Sequence, residues 1–117
     1  MTKIMQKHFI YPVNMGVIKN ASRYGKSKSG FCGDTVETSA VVNDNGTITT
    51  LKYNVFGCYA VIATSSILSE WAIGKNLSDL SSLDYPDVLE MIGGEIEDGK
   101  ESCVRTAMIA FKALAET

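Results

Sequence analysis

The apolar pattern of this chain changes period once, at Gly57, and that change limits the folds open to it. Before it, Val36, Thr38, Ala40 and Val42 alternate onto one face, as a half-buried strand requires. Asn43-Asp44-Asn45-Gly46 is a run of turn formers, and residues 47–56, rich in Thr, Ile, Tyr, Val and Phe, predict a second strand. Two such strands joined by a turn make an antiparallel hairpin. After Gly57, Ala60, Ala63, Ile67 and Trp71 recur at helical spacing with Val61, Leu68 and Ala72 beside them. That spacing predicts a helix whose broad apolar face lies on the sheet. Gly74 is placed to end it.

The rest of the chain fits around this unit. Residues 2–9 predict a short helix ended by Pro12, because proline disfavours helix in the residue before it. Residues 14–33 are polar, broken by Gly16, Gly25, Gly30 and Gly33, and read as one long, mobile loop carrying Lys19, Arg23, Lys26 and Lys28. One or two short helices are expected over 78–91, around Pro86, and an acidic loop over 93–100. The last helix is expected to start near Ser102. Val104, Met108, Phe111 and Ala115 line one of its faces, and Arg105, Lys112 and Glu116 the other. Trp71 and Phe111 are assigned to the core, and His8, the sole histidine, to the surface or a cap. Strands followed by helices indicate an α+β fold: a small antiparallel sheet of about three strands with helices packed on one face. A length of 117 residues fits one domain, 1–117, with a flexible N-terminal segment of about 1–30.

A net charge of −2 argues against nucleic acid, which selects a basic face. Residues 1–6 show no apolar stretch of the leader type, and the longest apolar run, 59–63, is too short to cross a bilayer. The expected location is the cytoplasm, with no membrane partner. There thiols stay reduced, so three cysteines point to metal or chemistry rather than disulfides, against the plainer alternative of three small core residues.

The surroundings of the cysteines favour the first. Cys32 lies between Gly30 and Gly33, where the backbone is free to bend round an ion, and Asp34 offers a hard oxygen beside it. Cys58 follows Gly57 at the strand-to-helix junction, and Cys103 sits at the start of the last helix. Free N–H groups and the positive dipole end at a helix N-terminus stabilise a thiolate. There is no C-x-x-C pair, so compact zinc and ferredoxin motifs are absent. Ligands this far apart must be gathered by the fold. A site gathered from loops and helix ends is expected to be open at the surface, which suits assembly and release of a cargo more than storage.

Several segments, in order along nearly the whole chain, resemble the IscU/NifU-type iron–sulfur cluster scaffold family. His8-Phe9-Ile10-Tyr11-Pro12-Val13-Asn14-Met15-Gly16 is similar to its H-Y-x-x-P-x-N-x-G stretch, and Cys32-Gly33-Asp34 to its C-G-D motif. Gly57-Cys58 followed by Ala63-Thr64-Ser65-Ser66 resembles G-C-x-x-x-x-A-S-S-S. Trp71, Gly74-Lys75, Lys100 and Cys103 match the later positions of the family pattern. The resemblance implies a non-enzymatic scaffold that holds a transient [2Fe–2S] cluster. Its ligands would be Cys32, Cys58 and Cys103, with Asp34 influencing stability and exchange. The implied partners are a cysteine desulfurase as sulfur donor and acceptor apoproteins, with the chain a monomer or weak homo-oligomer.

Three departures stand out. Ser102 replaces the histidine usual before the third cysteine, which makes Asp34 the stronger candidate for fourth ligand. Ile96-Glu97-Asp98-Gly99-Lys100 replaces the L-P-P-V-K segment presented to a dedicated Hsp70-type chaperone, so the resemblance does not extend to chaperone-driven release. Tyr59 replaces a small residue, and its ring is expected to crowd or shield the site. Ser102 itself suits the N-cap of the last helix. The competing function is a zinc-binding sulfur-transfer protein of the same fold, since thiolate sites also accept Zn2+. Members of that group carry an insertion between the second and third cysteines, and Cys58 and Cys103 here are only 45 apart (103 − 58). A thiol enzyme would need a base beside its cysteine, and His8 is the sole imidazole.

Overall fold

A computed structural model describes residues 1–29 and 33–116 of the chain. Helix α1 (Lys3–Ile10) is followed by strands β1 (Arg23–Lys28), β2 (Thr35–Val42) and β3 (Ile48–Phe56). Then come α2 (Tyr59–Ala72), α3 (Leu77–Ser81), α4 (Tyr85–Met91) and α5 (Glu101–Lys112), with a closing 3-10 turn, Ala113–Glu116. The expected α+β architecture holds. The three strands form one antiparallel sheet in the order β1-β2-β3.

The predicted hairpin is β2–β3, with Val36 opposite Val55, Thr38 opposite Tyr53 and Ala40 opposite Leu51. Its turn is built as the residues suggest: the Asn43 side-chain oxygen accepts from the backbone N–H groups of Asn45 and Thr47, and Gly46 takes φ 82°. The reading of 14–33 as a single loop is corrected, because Arg23–Lys28 is a strand paired with β2. Its alternation carries no apolar signal. Tyr24, Lys26 and Lys28 are exposed, while Arg23, Gly25 and Ser27 face the packed side. Gly25 lies so close to α5 that a Cβ there would stand 2.4 Å from the Ala110 carbonyl oxygen and 2.5 Å from the Thr38 hydroxyl. That hydroxyl donates to the same carbonyl at 2.8 Å.

The core joins Val36, Ala40, Leu51 and Tyr53 of the sheet to Leu68 and Ala72 of α2 and to Val104, Ala107 and Phe111 of α5. Trp71, assigned to the core, only packs on its margin, with the Lys75 ammonium 5.8 Å from its ring centre. Helix α2 is buried on more sides than its apolar stripe predicts. Thr64, Ser65, Ser66 and Ser69 are inside as well, because α1 covers that side. Ser66 Oγ accepts from the Val13 backbone N–H at 3.0 Å and lies 2.7 Å from His8 Nδ1. His8 is therefore buried rather than a surface or capping residue. Burial holds its pKa below the ordinary value, against the pull of Glu70, whose carboxylate lies 3.9 Å from Nε2. Among the described residues, no helix is long and apolar enough to cross a membrane.

Candidate metal centre

Three elements bring three candidate ligands together. Asp34 sits just before β2, after Gly33 in the left-handed region at φ 70°, and its backbone carbonyl accepts from the Ser29 N–H at 2.8 Å. Cys58 is the N-cap residue of α2, in extended conformation, with no capping bond from its side chain. Cys103 lies in the first turn of α5. The sulfurs of Cys58 and Cys103 are 3.3 Å apart, and Cys58 Sγ is 4.0 Å from Asp34 Oδ2. One ligand atom from each of the three residues falls within 4.8 Å of the others.

This spread suits one ion. Four-coordinate zinc, with bonds near 2.3 Å to sulfur, separates its sulfur ligands by about 3.8 Å. The two sulfurs are too far apart for a disulfide, whose bond is about 2.05 Å, and both are free thiols. Cys32, the remaining sequence-predicted thiolate, lies outside the described residues. It stands two positions before Asp34 in the chain. His8 belongs to the α1–α2 seam and not to this cluster.

The electrostatics differ from the sequence expectation. Cys103 and Asp34 are buried and Cys58 is half-buried, so the described part of the site is largely enclosed rather than open. Burial pushes the Cys103 thiol well above its ordinary pKa, and hydrogen bonding to Asp34 and Cys58 adds to this. The direction is opposite to the one a helix N-terminus alone would favour. A thiol held in this state keeps its proton at neutral pH, and a metal bound by it would have to displace that proton.

Ser102 also departs from expectation. Lys100, not Ser102, is the N-cap residue of α5, and no side chain caps it. Ser102 is exposed in the first turn, and its carbonyl accepts from the Thr106 hydroxyl at 2.8 Å. The Tyr59 ring meets Phe9 edge-on at 6.1 Å and carries the Lys100 ammonium 5.5 Å from its centre. Burial of its hydroxyl, with Glu97 next, raises its pKa to about 12. A cavity of about 550 Å³ lies along β1 beside Val17, Tyr24 and Lys26, away from the thiols. Its size does not compete with the chemistry of the thiol cluster.

The chain is similar to known proteins in sequence and in fold. The chain is 36% identical over 88 residues to the iron–sulfur cluster assembly scaffold protein IscU of Aquifex aeolicus, covering 74% of this chain and 56% of that protein. It is 33% identical over 109 residues to IscU of Haemophilus influenzae, covering 91% and 85%. Its fold matches the crystal structure of the N-terminal part of a nitrogen-fixing NifU-like protein from Brucella abortus. That match has a TM-score of 0.78 at 18% identity, over 98% of this chain and 89% of that one. The model of the NifU-like N-terminal domain matches residues 1–116, and the chain belongs to that family.

Proposed function

We propose that this chain is a scaffold on which [2Fe–2S] clusters are assembled and from which they pass to acceptor apoproteins, with sulfur supplied by a cysteine desulfurase. The observation that carries this is the convergence of Asp34, Cys58 and Cys103, from three separate elements, on a space the size of a metal ion. Cys32 completes the set as the third thiolate, on the evidence of the sequence. The named relatives are assembly scaffolds, and scaffold work, not turnover, is the role assigned here.

The residues divide the task. Cys32, Cys58 and Cys103 supply soft thiolates and accept sulfur. Asp34 supplies one hard oxygen, held more weakly to iron than sulfur is, and so forms the corner from which the cargo leaves. Zn2+ fits the same donors and is the second occupant of this site. Its presence in a purified sample does not distinguish the zinc-binding sulfur-transfer alternative. The whole chain, 1–117, acts as one domain, a monomer or weak homo-oligomer. It works in the cytoplasm, where its thiols stay reduced. With Ile96-Glu97-Asp98-Gly99-Lys100 in place of the chaperone-binding segment, release proceeds unaided by a dedicated Hsp70.

The test is anaerobic reconstitution with iron and sulfide, followed by visible absorption and Mössbauer spectra, on the wild type and on Cys32→Ser, Cys58→Ser and Cys103→Ser. Each variant should fold and lose most of its cluster, since a hydroxyl is a poor substitute for a thiolate. A variant that binds as the wild type does removes that residue from the ligand set. Turnover of a substrate without metal would replace the scaffold reading with a thiol enzyme.

A further inference from the structure

Gly57, between β3 and α2, borders the Asp34 carboxylate. A Cβ built on it would lie 2.3 Å from Asp34 Oδ1, 2.7 Å from Asp34 Cγ and 2.7 Å from Val61 Cγ1. Carbon atoms in contact sit about 3.5–4.0 Å apart, so no side chain fits there as the structure stands. The backbone gives no other reason for glycine. Gly33, Gly46 and Gly74 occupy the left-handed region, and Gly57 does not. An alanine would adopt its conformation without strain. What excludes a side chain is first the carboxylate, itself 2% exposed, and beside it the Val61 methyl.

We propose that Gly57 is a positioning residue for metal binding: its missing side chain is the seat in which the Asp34 carboxylate rests, with Oδ2 turned to the Cys58 sulfur. The inference rests on the reading of Asp34 as a ligand. The strand-to-helix junction then does two jobs. Cys58 supplies a thiolate, and the residue before it leaves room for the oxygen donor. Filling the seat displaces the carboxylate while leaving every thiol in the chain.

The probe is Co2+ bound to the full-length metal-free protein under anaerobic conditions. Its sulfur charge-transfer absorption reports the thiolates, and its ligand-field bands report the whole donor set. Gly57→Ala should keep the charge-transfer band, change the ligand-field bands as Asp34→Ala does, and weaken Co2+ binding about tenfold, as loss of an orienting group does. Asp34→Ala/Gly57→Ala should bind no more weakly than Asp34→Ala. Metal-free unfolding is measured alongside: any instability of Gly57→Ala should be reduced in the Asp34→Ala background, where the shortest overlap is gone and that with Val61 remains.

A Gly57→Ala protein with the wild-type spectrum and affinity overturns the proposal. So does a double variant that loses further affinity, or one in which removing the Asp34 carboxylate restores none of the stability lost in Gly57→Ala. A wild-type spectrum from Asp34→Ala is a different failure, because it removes Asp34 from the ligands and the proposed site with it.

Discussion

Gly25→Ala tests how α5 is held, and its size can be worked from the structure. The new Cβ would stand 2.4 Å from the Ala110 carbonyl oxygen, 2.5 Å from the Thr38 hydroxyl and 3.1 Å from Ala113 Cβ. Backbone, not a flexible side chain, is the first obstacle, so β1 and α5 must move apart. Overpacking of this kind costs about 1–3 kcal/mol. The separation also weakens the 2.8 Å bond from Thr38 to Ala110, worth about 1 kcal/mol. Gly25 is outside the left-handed region, so alanine gives back about 0.4–1 kcal/mol through the unfolded chain. The net expectation is a loss of about 1–3.5 kcal/mol, read by urea unfolding of the metal-free protein as a lower midpoint at unchanged slope. Cys103 stands seven residues before Ala110, about 10 Å along the helix, so Zn2+ affinity should change much less than stability. A variant within about 0.5 kcal/mol of wild type would refute close packing of α5 on β1, since that is the range of neutral surface changes.

The remaining predictions concern the site and its margins. Asp34→Ala should slow transfer to an acceptor apoprotein and lengthen cluster lifetime, and unchanged transfer kinetics would take Asp34 out of the release step. Ser102→Ala should leave stability within about 0.5 kcal/mol, because the exposed hydroxyl caps nothing. Ser102→His should lengthen cluster lifetime by offering an imidazole beside the buried thiol, and a loss of about 1 kcal/mol in the alanine variant would restore Ser102 as a cap. The metal-free protein should lose stability as pH rises above about 9. The unfolded chain gives up the Cys103 proton near 9.0 while the folded chain still holds it, so the contribution is whole below that pH and disappears as the folded pKa is approached. Cys103→Ser should flatten the slope between about pH 9 and 10, below the ordinary range of the buried tyrosines, and an equal slope in both proteins would refute the shift.

The sequence alone determined the hairpin, the helix after Gly57, short helical structure around Pro86 and the last helix, because periods of two and 3.6 and the turn at Asn43–Gly46 are local properties. It also supplied the chemistry: three cysteines and an aspartate of a kind and order that resemble one family. The tertiary structure alone decided what depends on neighbours distant in the chain. Strand β1 left no apolar signal because α5 packs directly on Gly25, where a larger side chain would have announced the face. His8 looked like a surface residue until Ser66, 58 positions away, was placed against it. Cys58 and Cys103, 45 positions apart, meet at 3.3 Å only because α2 and α5 pack on the same face of the sheet. That packing also buries Cys103, and desolvation raises the pKa of a thiol whose place at a helix start suggested the opposite. Gly57 shows the same limit: its place before Cys58 was legible, but its need for an absent side chain arises only once Asp34 lies over it.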